Sequence, residues 1–455
     1  MIDSINSFLD KLVGYLWGLP TVFLLVGSGL AFTIWLQGIQ FRAFFHAIQI
    51  VRGKYDNPDD PGEITHFQAL CTALSGTVGL GNIAGVAVAI KIGGPGATFW
   101  MILAGLLGMA TKYTECSLAV MYRRVDENGV VSGGPMYYMR DGLGGVFKPL
   151  SYLFAICCIA GCIGAANMFQ VNQVAASLHN AFEVPHLVTG IVFAVGVGVV
   201  IIGGIKRIGQ VAGTLIPLMG GGYVLACLLI IVMHITEVPG IFAEIIYSAF
   251  NGTAAAGGFT GAAVVAVLRQ GIQRAAFSNE AGMGTAAIAH SAAKTNEKVR
   301  EGIVALLEPL VDTVVICTMT ALVINITGVW TGPSTGVNLT SEALNSTLPG
   351  FGTYFIPIAV SLFAFSTMIS WSYYGEQCVD YLFGHSAIIP FKIIFCCFAV
   401  VGAVWNLKPI LAFSDSAIAL MIFPNLLALW FLMPKVKIAT DEYFQKLANG
   451  EFKKY

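Results

Sequence analysis

Two stretches of this sequence set closely spaced glycines beside polar side chains in apolar surroundings. The first is Ala73-Leu-Ser-Gly-Thr-Val-Gly-Leu-Gly-Asn-Ile-Ala-Gly85, with glycines at 76, 79, 81 and 85. Each glycine inside a helix costs about 1 kcal/mol, so this spacing predicts an unwound segment. The second is Arg269-Gln-Gly-Ile-Gln-Arg-Ala-Ala-Phe-Ser-Asn-Glu-Ala-Gly-Met-Gly284, which carries Arg269, Arg274 and Glu280. Unwound backbone offers amide N–H groups to a carboxylate and carbonyl oxygens to an ammonium group or Na+. A zwitterion suits both ends. A third cluster, Phe365-Ser-Thr-Met-Ile-Ser-Trp-Ser-Tyr-Tyr-Gly-Glu376, brings the hydroxyls of Ser366, Thr367 and Ser370 beside Trp371. Hydroxyl oxygens suit a hard cation. Membrane Ser and Thr commonly bond back to their own helix, but their density here, with nearby unwound carbonyls, favours a Na+ site. Asn167, Gln170, Asn172 and Gln173 form a fourth group. Gln170 and Asn167 could line a pocket, with interhelical hydrogen bonding as the alternative.

The chain that positions these groups has 455 residues, 56% hydrophobic and 11% charged. Soluble domains carry about 25% charged residues, and the mean hydropathy here is +0.77. Such a chain belongs in a bilayer. Its 24 Lys and Arg against 25 Asp and Glu leave no basic excess for nucleic acid. Ten cysteines without a CxxC pair read as small core residues. Taking about 20 apolar residues per span, eleven spans emerge: near 13–36, 66–92, 97–122, 149–179, 185–204, 208–236, 255–290, 302–326, 354–383, 387–405 and 408–433. The first has no basic n-region or A-x-A site and reads as a retained helix. With the N-terminus outside and the C-terminus cytoplasmic, 18 Lys and Arg fall on the cytoplasmic side and 3 outside, as expected for a multi-pass protein of the cell membrane. No loop is long enough for a folded domain, and no HExxH, GxSxG or DHHC pattern is present, so neither an enzyme nor an organic cofactor is expected. Nothing points to an obligate protein partner.

The two glycine-broken spans echo one another through Asn82-Ile-Ala-Gly85 and Asn279-Glu-Ala-Gly282. They are the second and seventh spans, an odd number of crossings apart, so they enter the membrane from opposite sides. Paired broken helices in two inverted halves mark the site of a secondary transporter; the alternative is that the glycines only allow tight packing. This divides the chain into 1–65, an extra helix and loop; 66–236, the first five-helix repeat; 237–254, an outer connection; 255–433, the inverted second repeat; and 434–455, a cytoplasmic tail. A channel would need an open, repeated filter, which is not seen. Proton coupling is the nearer rival, since Glu115, Glu280, Glu308, Asp312, Glu376 and Asp415 lie in or near spans. Lys112 with Glu115, and Arg274 with Glu280, read more simply as structural ion pairs.

The stretches Gln68-Ala-Leu-Cys-Thr-Ala-Leu-Ser-Gly-Thr-Val-Gly-Leu-Gly-Asn-Ile-Ala-Gly-Val-Ala87, Gly93-Gly-Pro-Gly-Ala-Thr-Phe-Trp-Met101, Gly134-Pro-Met-Tyr-Tyr138, Phe277-Ser-Asn-Glu-Ala-Gly-Met-Gly284 and Ser370-Trp-Ser-Tyr-Tyr-Gly-Glu376 resemble the alanine/glycine:cation symporter family. The resemblance covers most of the chain, with departures at Thr98 and Ile102. It implies an all-α leucine-transporter-type fold, a 5+5 inverted repeat plus one extra N-terminal helix, and Na+-coupled uptake of alanine or glycine. It also implies roles. The amides of Leu80 and Gly81, beside Gly79, would hold the substrate carboxylate. Carbonyls of Thr77 and of the turn formed by Gly271, Ile272 and Gln273 would face its ammonium. Backbone oxygens of Ser75 and Val78 with the hydroxyls of Ser366 and Thr367 would hold Na+, Ser370 substituting for either hydroxyl. Asn82 would sit near a second cation. Trp371, Phe277, Met168 and Gln170 would wall the space for the substrate side chain.

Overall fold

The computed structural model describes residues 11–127, 129–251 and 260–455. The expected boundary between residues 254 and 255, and the first ten residues of the 1–65 unit, lie outside the described residues. In chain order, α1 (Leu19–Trp35) leads to the short α2 (Phe44–Val51), then α3 (His66–Thr77), α4 (Val86–Gly93) and α5 (Ala97–Met121). Next come α6 (Lys148–Ile163), α7 (Phe169–Phe182), α8 (His186–Ile201), α9 (Gly204–Met233) and α10 (Val238–Asn251). The second part holds α11 (Thr260–Asn279), α12 (Thr285–Ser291), α13 (Arg300–Ala305), α14 (Thr318–Thr327), α15 (Gly336–Thr347), α16 (Phe351–Phe383), α17 (Ile388–Val404) and α18 (Leu407–Ala448). Among the described residues, six helical runs are long and apolar enough to cross a membrane, or seven if α3 and its bent continuation count as one span. α1 and α8 are apolar but shorter. The helix α18 continues past residue 433, so most of the expected tail is helical.

The two breaks form for different local reasons. The helix α3 starts on a capping box, Thr65 accepting from the Gln68 amide while the Gln68 side chain accepts from the Thr65 amide. It stops at Thr77, where Val78 turns extended at φ −72° and ψ 92°. A wide π-turn over Gly81–Gly85 then leads into α4, and the axis bends by 51° across the break. The second break is displaced from its expected place. The helix α11 runs uninterrupted through Gly271, Ile272 and Gln273 and ends at Asn279. The chain then turns at Glu280, Gly282 and Gly284, with φ of +55°, +94° and +83°. Gly271 is instead a packing glycine, because a Cβ there would stand 2.5 Å from the Ala97 carbonyl oxygen. Its single glycine does not unwind a helix that α5 supports.

The echoed asparagines cap these breaks. Asn82 Oδ1 accepts from the Gly79 amide at 2.8 Å, and Asn279 Oδ1 accepts from the Ala281 amide at 3.0 Å. Their side-chain amides donate to neighbouring residues on one further π-turn, Leu310–Cys317: Asn82 to Asp312 Oδ1 at 2.7 Å and Asn279 to Thr313 Oγ1 at 3.0 Å. Ser278 also donates to Asp312, at 2.8 Å. A single strip of chain thus pins both breaks.

The buried charges pair otherwise than expected. Lys112 donates to Glu308 at 2.9 Å with both side chains fully buried, not to Glu115. One oxygen of Glu115 accepts from the amides of Gly282 and Gly284 and from Asn425 Nδ2, at 2.9, 3.1 and 2.7 Å. The i,i+3 spacing put Glu115 on the right face of α5, but the exposed amides of the second break, with Asn425, claim its carboxylate. We expect Lys112→Met, which strands the Glu308 charge, to destabilise the protein by about 3–5 kcal/mol, and Lys112→Met with Glu308→Leu to restore most of that. Thermal unfolding in detergent tests this; equal destabilisation by the single and double variants would contradict it.

Candidate functional site

Where the two breaks meet, a cavity of about 20 Å³ lies between Gly76, Thr77, Gly79, Leu80 and Gly81 on one side and Phe277 and Glu280 on the other. That is room for about one water. Gln170, Thr367 and Trp371 complete its walls with Ala165, Ala166 and Ile418. The first break approaches α16 closely, since a Cβ on Gly79 would stand 2.8 Å from Thr367 Oγ1 and one on Gly76 would stand 3.0 Å from the Tyr374 hydroxyl. Glycine at 76, in the last turn of α3, and at 79, in the break, is therefore what lets this stretch of backbone reach α16.

Beside the cavity, Ser75 Oγ donates to the Ser366 carbonyl at 2.6 Å, and Ser366 Oγ donates to the Phe363 carbonyl at 2.8 Å. Thr367 Oγ1 donates to the Phe363 carbonyl at 3.0 Å. Ser370 Oγ is buried with no hydrogen-bond partner. An unmade hydrogen bond at a buried hydroxyl costs about 1–3 kcal/mol. The set of Ser75, Val78, Ser366, Thr367 and Ser370 is rich in oxygen, which fits a hard cation.

The remaining wall residues are held largely by one another. Trp371 Nε1 donates to Glu280 Oε1 at 3.1 Å and to the Gly76 carbonyl at 3.3 Å. Thr285 Oγ1 donates to the other Glu280 oxygen at 2.5 Å. Glu280 therefore does not pair with Arg274, as the sequence suggested; Arg274 lies 6.0 Å over the Phe277 ring. The left-handed backbone at Glu280 turns its carboxylate inward toward Trp371. Gln170 Nε2 donates to the Ala165 carbonyl at 3.2 Å, and its Oε1 is buried and unpartnered. Phe277 and Leu80 also line a second cavity of about 290 Å³, with Arg274, Gln173 and Asn338. These two side chains alone line both spaces.

Of the predicted residues, Thr77, Gly79, Leu80, Gly81, Gln170, Phe277, Thr367 and Trp371 line the cavity, the proposed cation ligands Ser75, Val78, Ser366 and Ser370 are not part of its lining, and five residues stand apart. Gly271, Ile272 and Gln273 do not reach the cavity, for the packing reason above. Met168 packs against Gly402, whose Cβ would stand 2.5 Å from the Met168 Cα, and is not part of the wall. Asn82 caps the break from behind. The wall residues that sequence reasoning missed are Gly76, Ala165, Ala166, Glu280 and Ile418. The run Gly164-Ala-Ala before Asn167 was the readable signal for two of them, because it forms a π-turn over Gly164–Met168 facing the cavity. Nothing in the sequence sets Ile418 apart from its apolar neighbours.

The whole chain, residues 2–455, matches the sodium:alanine symporter family. The chain belongs to that family. It is 39% identical over 459 residues to the sodium/alanine symporter AgcS of Methanococcus maripaludis, covering 100% of this chain and 98% of that protein. An uncharacterised transporter of Haemophilus influenzae is 40% identical, covering 99% and 98%. Among solved structures, MhsT in complex with L-phenylalanine superposes with a TM-score of 0.51 at 14% identity, over 83% of this chain and 99% of that one. At that identity the likeness concerns the fold alone. This member of the sodium:alanine symporter family is thus a multi-pass membrane protein of amino-acid symport, and the cavity between its broken helices is the candidate substrate site.

Proposed function

We propose that this protein carries small neutral amino acids, alanine and glycine, into the cell together with Na+, by alternating access around the two broken helices. The observation that carries this reading is the convergence of the unwound backbone of the first break, the Trp371 and Phe277 rings and Thr367 of α16 around one enclosed space, which holds room for about one water here and widens to admit the amino acid. In it the Leu80 and Gly81 amides receive the carboxylate and the Thr77 carbonyl the ammonium. The carbonyls of Ser75 and Val78 with Ser366, Thr367 and Ser370 hold Na+ as the transported ion. Eleven spans in a 5+5 inverted repeat, with the N-terminus outside and the C-terminus cytoplasmic, complete the reading. The end bearing the C-terminus is then cytoplasmic, and the 290 Å³ cavity faces out. By linkage, substrate and Na+ tighten each other's binding by the same factor.

The comparison of Thr367→Ala with Ser372→Ala tests the cation assignment. Both residues are buried on α16, but Ser372 Oγ only bonds back to the Ile369 carbonyl, at 2.7 Å. Thr367→Ala is expected to raise the Na+ concentration for half-maximal alanine uptake by roughly tenfold, about 1.4 kcal/mol, and Ser372→Ala to leave it unchanged. Equal effects would overturn the assignment.

A further inference from the structure

The entrances to the two broken helices are stitched together at the end of the molecule that carries the C-terminus. The strand of chain before α3 runs beside the one after α12, bridged in parallel at Ile64 and Ala293. The amides of Glu63 and Ile64 donate to the Ala292 carbonyl at 2.7 and 3.2 Å. Those of Lys294 and Thr295 donate back to Ile64 and Pro61 at 2.8 and 3.2 Å. Across this seam lies Arg123, just beyond the end of α5. One terminal nitrogen donates to the carbonyls of Ser291 and Ala293 at 2.7 and 2.6 Å, the other to those of Pro61 and Thr295 at 2.9 and 2.5 Å. A guanidinium has five donors in a fixed fork, and here four bonds fall on both partners of the seam.

A second clasp lies beneath it. Glu301 on α13 is fully buried and divides its two oxygens between the broken helices. One bonds His66 Nδ1, on the first residue of α3, and the other bonds His290 Nδ1 near the end of α12, the latter at 2.6 Å. Parting α3 from α12 at this end would leave buried carbonyls and a buried carboxylate without partners, each at a cost of about 1–3 kcal/mol or more. Toward the other end the small cavity and the larger one share Leu80 and Phe277 as lining residues. The two ends therefore differ, with a hydrogen-bonded seam at one and the larger cavity at the other.

We propose that Arg123 and the His66–Glu301–His290 clasp form the latch that holds the cytoplasmic exit shut, and that Arg123 is the positioning residue whose release lets α3 move away from α12. This rests on the alternating-access reading and its sidedness, but not on which ion or amino acid is carried.

A native thiol lies on the helix proposed to move. Cys71 sits on α3 at 2% exposure, while Cys116 on α5 and Cys158 on α6 are fully buried. Full-length protein in proteoliposomes, without Na+ or substrate, is alkylated with N-ethylmaleimide and each cysteine peptide is followed by mass spectrometry. Arg123→Gln is expected to speed labelling of Cys71 at least tenfold with Cys116 and Cys158 unchanged. Glu301→Gln should move Cys71 in the same direction, and Arg123→Lys, a single point of charge, should fall between. Unchanged Cys71 labelling in both Arg123→Gln and Glu301→Gln would overturn the latch, as would a parallel rise at all three cysteines, which would make Arg123 a support of the fold as a whole. Because no Na+ is present, a wrong coupling ion would leave this result untouched. Normal Na+-driven uptake with unmoved Cys71 would remove the latch and leave the proposed function standing.

Discussion

Gly79→Ala is expected to reduce Na+-driven alanine uptake by roughly 10- to 100-fold while the protein still reaches the membrane and folds. The added methyl would stand 2.8 Å from Thr367 Oγ1, where no carbon can sit without moving the Thr367 side chain, α16 or the first break. Overpacking of this kind costs about 1–3 kcal/mol, and each 1.4 kcal/mol is tenfold in an equilibrium. Here the strain falls between the proposed carboxylate-binding amides and a proposed Na+ ligand, so it is felt in binding both. Gly221→Ala on α9 serves as the control, since a Cβ there meets nothing within 4 Å and uptake should be unchanged. Equal uptake by Gly79→Ala and the parent, at equal amounts of protein, would place the substrate elsewhere.

The second large effect is expected at Glu280. Its carboxylate, itself part of the cavity wall, holds the Trp371 indole at 3.1 Å, so Glu280→Leu should free the ring and lower uptake by roughly 10- to 100-fold, as loss of a hydrogen bond to a charged group costs about 1.5–3 kcal/mol. Glu280→Gln keeps an oxygen that can accept from the indole and should retain most Na+-driven uptake. The pair of variants also separates the two coupling ions. If Glu280 ferried a proton, Glu280→Gln would be as inactive as Glu280→Leu, because neither can titrate. Uptake of labelled alanine by the two variants, matched for protein in the membrane, decides between them.

The sequence was legible where a local rule has one dominant cause. Three glycines between 76 and 81 outweigh helix propensity, and the first break lies where their spacing puts it. The hydroxyls at 366, 367 and 370 share one helix face through their spacing, and the structure brings that face to the break. At Gly271 the same rule failed, because glycine both weakens a helix and permits close approach to another, and only the position of Ala97 shows which applies. The break at 280–284 has its own signature, glycines at 282 and 284, but the left-handed turn begins at a glutamate. The ion pairs were read from spacing along one helix, whereas Lys112 and Glu308 are partners far apart in sequence. Ile418 illustrates the general limit, since an apolar side chain becomes a pocket wall only through the packing of distant helices.

The most direct measurement is uptake of labelled alanine into proteoliposomes of the purified protein, with an inward Na+ gradient, an inward K+ gradient and a pH gradient imposed separately. Each Na+ carried inward gains about 2.3 kcal/mol per 100 mV of inside-negative potential, so accumulation should follow the Na+ gradient, deepen with that potential, and be absent with K+ or pH alone. Accumulation driven by a pH gradient in Na+-free buffer would contradict the proposal, turning the oxygen cluster of Ser75, Val78, Ser366, Thr367 and Ser370 into a packing feature and the buried acids into the coupling groups.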